Sequence, residues 1–133
     1  MTATGIRRVA LTLTATAALG AGGVVSLAAT SHAKPAGVTR TLSTATGEKL
    51  AFSTKRLSAP AGTITLTLAN RGDFDHDIAV RGKKLKAKKG PTVSTGEVSK
   101  VVVTLPPGTY TYFCTVFGHE SGGMRGTLTV TRR

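Results

Sequence analysis

Strict alternation of polar and apolar residues over six positions is the feature that most restricts the fold of this chain. Thr63-Ile64-Thr65-Leu66-Thr67-Leu68 places its aliphatic side chains on one face and its threonines on the other. A two-residue period is that of a β-strand with one face buried and the other in solvent. The chain is therefore predicted to form a sheet with a hydrophobic core on one side.

Further short runs rich in β-branched and aromatic residues predict the remaining strands. They are Val38–Leu42, Leu50–Phe52, Ile78–Val80, Lys100–Leu105, Tyr110–Cys114 and Thr127–Val130. Turn signals separate them, among them Ala59-Pro60-Ala61-Gly62, and no amphipathic helical pattern occurs. These features predict an all-β fold, a sandwich or barrel of seven to eight strands. Arg81–Thr95 lacks a clear strand pattern and is predicted to be a large loop.

Residues 1–33 have the pattern of a secretory signal peptide. Arg7-Arg8 precedes the uncharged run 9–29, and Ser31-His32-Ala33 provides small residues before a cleavage point. We expect residues 34–133 to form one extracytoplasmic domain that is secreted, periplasmic or associated with the cell envelope. The alternative is an uncleaved membrane anchor, since the run is long enough to span a bilayer. The arginine pair leaves the general and the twin-arginine export routes open.

Removal of that segment would leave 100 residues with 16 basic and 6 acidic side chains, a net charge of +10. A domain of this size excludes a large multidomain enzyme. It also retains few side chains that bind soft or borderline metals. They are His76, Cys114, His119 and Met124.

The spacing C-x4-H-x4-M follows a predicted strand and runs through a glycine-rich loop. The strand end fixes the sulfur of Cys114, and the intervals allow the chain to turn His119 and Met124 towards it. His76 comes from a distant part of the chain. Two imidazoles, a thiolate and a weak thioether describe a type 1 blue copper site, whereas the sulfur ligands argue against Mg, Ca and Mn, and Met is not a usual zinc ligand. We predict one copper ion.

Each of these residues alone has a simpler interpretation, since a lone cysteine is more often a buried small residue or a disulfide partner. The combination favours copper. Nucleophilic catalysis by Cys114 with His119 is the competing chemical hypothesis, but it gives Met124 no role and lacks a recognisable third residue. The protein is therefore not expected to be an enzyme.

Three segments carry a resemblance to a known family, namely Pro107–Cys114, Gly118-His119 and Gly123–Val130. They resemble the C-terminal hairpin and ligand loop of cupredoxins, the plastocyanin-like and azurin-like electron carriers. The resemblance extends over about Leu50–Val130. It implies an eight-stranded Greek-key β-sandwich with copper near one end, bound by His76, Cys114, His119 and Met124.

The chain departs from the family pattern beside the first histidine ligand. Family members usually have an Asn there, which bridges to the hydroxyl residue after the cysteine; here Asp77 follows His76 and Thr115 keeps the hydroxyl. Asp77 can accept from Thr115 while its own N–H points at the Cys114 sulfur. An added carboxylate near a copper thiolate should stabilise Cu(II).

The expected function is that of a one-electron carrier cycling between Cu(II) and Cu(I). His119 would be the solvent-side ligand, Val116 and Phe117 would form an apolar contact patch around it, and Phe113 would offer a second electron route. The main alternative is a protein that stores or delivers copper without redox turnover. A third class of function is a basic adhesion module in which the metal only stabilises the fold.

A cluster of basic residues follows the strand that carries His76. It comprises Arg81, Lys83, Lys84, Lys86, Lys88 and Lys89. One interpretation is a solvated loop. The other is a docking patch for an acidic redox partner or an anionic envelope surface. Nucleic acid is not an expected partner, because no aromatic residues are interleaved with these lysines. We expect a monomer without a membrane span once the signal is removed.

Overall fold

The computed structural model describes residues 36–133, which form eight strands in two sheets. The strands are β1 (Val38–Ser43), β2 (Arg56–Pro60), β3 (Gly62–Ala69), β4 (Ala79–Gly82), β5 (Leu85–Lys89), β6 (Val98–Leu105), β7 (Gly108–Phe113) and β8 (Arg125–Thr131). The sheets have the orders β1-β3-β6 and β2-β8-β7-β4-β5. The predicted all-β sandwich is confirmed. The predicted signal peptide and its cleavage point lie outside the described residues, and within 36–133 no helix is long and apolar enough to cross a membrane.

β3 is the centre of the three-stranded sheet and pairs with β1 in parallel and with β6 in antiparallel orientation. Its predicted alternation is confirmed, because Ile64, Leu66 and Leu68 are fully buried between the sheets. Tyr112 and Leu128 are equally buried in the five-stranded sheet and belong to the same core cluster. Burying one such aliphatic side chain contributes roughly 1.5 to 3 kcal/mol, so this core supplies the rigid frame of the molecule.

The predictions for residues 50–62 are wrong in two places. Leu50–Phe52 forms only an isolated bridge between Phe52 and Thr44, and an unpredicted strand lies at Arg56–Pro60, directly before the chain turns at Ala61 within the predicted turn Ala59–Gly62. This strand, β2, pairs in parallel with β8 at the edge of the five-stranded sheet. Edge strands tolerate proline and residues with low β-propensity, so the composition of β2 conceals it.

The predicted loop Arg81–Thr95 is also wrong, because it contains β5. β4 extends to Gly82, and β5 returns antiparallel to it at the other edge of the sheet. Lysine is depleted in strands generally but is used on edges, where it hinders pairing with other chains. Leu85 packs against the core, and the register between β5 and β4 shifts between Leu85 and Lys88, after which Lys89 pairs with Ala79.

Candidate metal centre

The segment between β3 and β4 is held in place by the buried side chain of Asn70. Its Nδ2 donates to the carbonyls of Phe74 at 2.8 Å and Val93 at 3.0 Å, and its Oδ1 accepts the N–H of Gly72 at 3.0 Å. The hydroxyl of Thr44 reaches the same oxygen at 3.2 Å. In the sequence Asn70 is visible only as part of a turn signal, so this anchoring role becomes apparent in three dimensions.

His76 follows this anchored segment and is fully buried. Its backbone N–H and carbonyl both pair with Val93, at 3.0 and 2.9 Å. The ring Nε2 is buried without a hydrogen-bond partner among residues 36–133. Nδ1 has polar neighbours in Cys114 and His119, so it is the ring atom that can bind a metal.

Cys114 directly follows β7 and is buried as a free cysteine. Its backbone N–H donates to the carbonyl of Met124 at 3.0 Å, which joins the two ends of the intervening loop. Its Sγ accepts the backbone N–H of Asp77 at 3.5 Å. The strand end and the loop closure therefore fix the position of the sulfur.

The loop between Cys114 and Met124 turns tightly and directs His119 back to the strand end. The N–H of His119 donates to the Val116 carbonyl at 3.0 Å, and the N–H of Met124 donates to the His119 carbonyl at 2.9 Å. Gly118 has φ +79°, a left-handed conformation that a side chain would strain. The Met124 side chain is fully buried at this end of the core. Its role as an axial ligand stays a prediction.

Three candidate ligand atoms converge at the end of the sandwich. The Nδ1 atoms of His76 and His119 are 3.1 Å apart, and Sγ of Cys114 lies 3.9 and 3.7 Å from them. An ion in the centre of such a triangle, about 2.0 Å from nitrogen and about 2.3 Å from sulfur, requires edges of about 3.5 Å and 3.7 Å. The observed triangle is close to these values. The geometry and the donor set therefore fit one copper ion.

Burial controls the protonation of these residues in the metal-free protein. It lowers the pKa of His76, and nearby His119 lowers it further, against the opposing effect of Asp75 and Asp77. Burial raises the pKa of the Cys114 thiol, which the N–H of Asp77 partly offsets. A lowered pKa leaves His76 neutral near pH 7 with a free lone pair, and metal binding has to displace the thiol proton.

Asp77 is fully buried and joins the first histidine to the residue after the cysteine. Its Oδ1 accepts the N–H of Thr115 at 2.6 Å, and its Oδ2 accepts the Thr115 hydroxyl at 2.5 Å. Oδ2 also accepts from Lys89 and from the Thr92 hydroxyl, both at 3.3 Å. Burial alone would raise the pKa of Asp77, but the bonds from Thr115 and the pairing with Lys89 lower it below its usual range. The carboxylate is therefore ionised and compensated.

Two exposed aromatic side chains lie at the loop that carries the partly exposed His119 or against its ring. Phe117 is fully exposed, and Phe74 is 42 % exposed with its ring centroid 6.1 Å from that of His119. Val116 is half-buried and packs against the core cluster. Sequence reasoning named Val116 and Phe117 but missed Phe74, which the Asn70 contact carries to this surface.

Phe113, by contrast, has little access to solvent because Arg81 covers it. The side chain of Phe113 is buried, with the Arg81 guanidinium 4.2 Å from the ring centroid. Arg81 also donates to both carboxylate oxygens of Glu120, at 2.9 and 2.5 Å. Glu120 follows His119, so this bidentate pair ties the ligand loop to β4. Neither Arg81 in this role nor Glu120 was identifiable from sequence spacing.

The predicted docking lysines lie in two different places in the structure. Lys83 and Lys84 lie in the turn between β4 and β5, and Lys86 and Lys88 project from β5; all four are exposed. Lys89 instead reaches the copper end, where its Nζ is 3.4 Å from the hydroxyl of Thr115 in addition to its contact with Asp77.

A family model of copper-binding proteins, the plastocyanin/azurin family, matches residues 39–131. The chain belongs to this family. Its cofactor is copper, and the predicted cupredoxin resemblance is confirmed. Cupredoxins are generally electron carriers that act with redox partners, and the match is to no catalytic family.

Solved cupredoxins with similar structures include two auracyanins. Auracyanin B superposes with a TM-score of 0.63 and 29 % identity over 73 % of this chain and 90 % of that chain. Auracyanin A, a "blue" copper protein from Chloroflexus aurantiacus, gives a TM-score of 0.59 and 28 % identity over 72 % of this chain and 100 % of that chain. Among curated sequences, auracyanin-B of Chloroflexus aurantiacus is 52 % identical over 40 residues, which span 29 % of this chain and only 17 % of that protein.

Proposed function

We propose that this protein is an exported one-electron carrier whose copper would be held by His76, Cys114 and His119, with Met124 as a further, weak ligand. The observation that carries the proposal is the triangle of Sγ and two Nδ1 atoms with edges of 3.1 to 3.9 Å. Bound copper supplies the Cu(II)/Cu(I) couple. The export part rests on the N-terminal sequence pattern.

The residues of the chain would keep the ligand geometry constant during electron exchange. The N–H of Asp77 donates to the thiolate of Cys114, and its carboxylate holds the N–H and hydroxyl of Thr115. Asn70 anchors the segment before His76, and Arg81 anchors the loop that carries His119. Supporting hydrogen bonds of this kind orient metal ligands. A rigid site needs little rearrangement between two oxidation states, which suits a carrier.

Electrons would enter and leave through the partly exposed His119. Phe74, Phe117 and Val116 provide an apolar surface around its ring on which a partner protein can pack closely. Phe113, next to Cys114, would provide a second route, which runs under the guanidinium of Arg81. The partner is a redox protein, and the four exposed lysines Lys83, Lys84, Lys86 and Lys88 favour one with an acidic surface.

Burial of the ligands argues for a carrier over a copper store or donor. Cys114 and His76 are 1 % and 0 % exposed, so a recipient's ligands have no direct access to the thiolate or to the first imidazole. Copper transfer by ligand exchange needs such access. An electron needs only a short path through the ring of His119.

The test uses residues 34–133 loaded with Cu(II). A carrier should show the intense visible absorption of a thiolate–copper site and fast, reversible electrochemistry, and it should keep its copper in the presence of a competing chelator. Cys114→Ser should abolish the colour. Slow or irreversible electron exchange together with rapid loss of copper to the chelator would favour storage or delivery instead.

A further inference from the structure

The outer face of the five-stranded sheet carries a row of four residues in direct register. Arg56 on β2 pairs with Thr127 on β8, Thr127 pairs with Thr111 on β7, and Thr111 pairs with Arg81 on β4. Residues paired across a sheet point to the same side. Arg56 and Thr127 are exposed, so this side faces solvent. Two threonines therefore lie between two arginines on one surface.

Two more cations complete a cavity of about 440 Å³ over this row. Arg125 lies on β8 two residues before Thr127, and Lys55 immediately precedes β2. The lining holds four basic side chains and the two threonines, together with Gly126, and it includes no carboxylate. One water molecule takes about 30 Å³ in the liquid, so the cavity has room for a small anion with several waters.

The basic side chains around this cavity are poorly compensated. Within residues 36–133 the ion pairs are Arg81–Glu120 and Lys89–Asp77, so Arg56 and Arg125 form no ion pair in that part of the chain, and Arg125 only helps Arg81 to lower the pKa of Glu120 from a greater distance. Lys55 donates to the carbonyl of Gly123. Like charges gathered at one place repel each other, and a bound anion removes that repulsion.

We propose that this cavity binds a free tetrahedral oxyanion, phosphate or sulfate, between Arg56 and Arg125, with the hydroxyls of Thr111 and Thr127 as additional donors. Guanidinium groups present paired N–H donors that match the oxygens of such an anion, and hydrogen bonds to charged oxygens are stronger than neutral ones. Chloride has no oxygens that could accept hydrogen bonds from the two guanidinium groups and the two hydroxyls at once, so it should bind less well. The site requires no copper, so it can be tested separately from electron transfer.

The test measures thermal unfolding of the metal-free protein in increasing inorganic phosphate or sulfate, against sodium chloride at equal ionic strength. Binding to the folded state alone should raise Tm in a saturable way. Arg56→Gln combined with Arg125→Gln should weaken the apparent affinity about tenfold or more, because one lost charge-assisted hydrogen bond is worth at least that factor. Arg81 is kept, since it also holds Glu120.

Lys86→Gln combined with Lys88→Gln is the matched control, since it removes the same charge from β5. The control should bind phosphate as the unmodified protein does. The site would be overturned if phosphate and sulfate raised Tm no more than chloride does. An equal loss of anion affinity in both double variants would overturn it as well. Binding to phosphatidylglycerol vesicles that depends on Arg56 and Arg125, without any effect of inorganic phosphate, would overturn the free-anion ligand in favour of a lipid headgroup.

Discussion

The ammonium group of Lys89 lies 3.3 Å from Oδ2 of Asp77, a fully buried carboxylate whose backbone N–H donates to the sulfur of Cys114. A charge pair thus stands where the resemblance to cupredoxins implies a neutral amide. Asp77 keeps the bridge to Thr115 through two short hydrogen bonds. Lys89 balances the charge that this replacement introduces beside the copper thiolate.

Replacement of Lys89 by Gln should leave the Asp77 charge buried and uncompensated. We expect the copper reduction potential to fall by roughly tens of millivolts, because a negative charge favours Cu(II) and about 59 mV corresponds to a tenfold change in a one-electron equilibrium. The metal-free protein should lose about 1 to 3 kcal/mol in urea unfolding, less than for a fully buried pair, because the Lys89 side chain is 53 % exposed.

Two further variants separate this effect from general loss of charge. Lys86→Gln removes a lysine from the same strand and should change neither the potential nor the stability. In an Asp77→Asn background, Lys89→Gln should have little effect, since no charge remains to be balanced. Equal potentials for the single Lys89→Gln variant and the unmodified protein would contradict a compensating role.

The stability of the metal-free protein should depend on pH through His76. Burial lowers the folded-state pKa of His76 below its ordinary value of 6.5, so the unfolded chain takes up the proton first as pH falls. Stability should therefore be full above about pH 6.5 and decrease below it, by at most about 1.4 kcal/mol per pH unit until the folded-state pKa is reached. Asp77, whose folded-state pKa is also lowered, loses its contribution only in stronger acid. Urea unfolding at pH 7.5, 6.5 and 5.5 tests this, and His76→Gln should flatten the profile.

Met124→Leu should leave copper bound but raise its reduction potential. Loss of a weak thioether donor disfavours Cu(II) more than Cu(I), while leucine preserves most of the buried volume at the end of the core. Voltammetry and the visible spectrum of the variant measure the effect. An unchanged potential and spectrum would make Met124 a core residue without a part in the site.

The residues most accessible to sequence reasoning are those whose role follows from local periodicity or spacing. The alternation of Thr63–Leu68 predicts a central strand because every second position is buried and must be apolar. The spacing C-x4-H-x4-M predicts the ligand loop because only a few residue types can bind the metal. β2 and β5 are hidden because edge strands tolerate Pro and Lys. The roles of Lys89 and Arg81 are hidden for another reason: their partners Asp77 and Glu120 are 12 and 39 residues away, and only strand pairing brings them together.

The exposed lysines on and before β5 allow two interpretations with different consequences. If Lys83, Lys84, Lys86 and Lys88 guide an acidic partner, their replacement by Gln should slow bimolecular electron transfer and flatten its salt dependence. At about 0.15 M salt the Debye length is about 8 Å, so a concentrated patch is needed for such an effect. Lys89 must be retained, because its loss would alter the copper site itself.

If these lysines only protect the free edge of β5, the same variant should transfer electrons at unchanged rates and self-associate, because an uncharged edge strand is open to pairing with another chain. Stopped-flow rates with acidic and basic redox proteins, measured over a range of salt, together with sedimentation of the variant, distinguish the two outcomes. If the lysines guide docking, the double variant Lys86→Gln with Lys88→Gln should slow electron transfer with an acidic partner more than the double variant Arg56→Gln with Arg125→Gln. The second variant removes the same charge from another face. The reverse order would move the docking surface from β5 to the outer face of the five-stranded sheet.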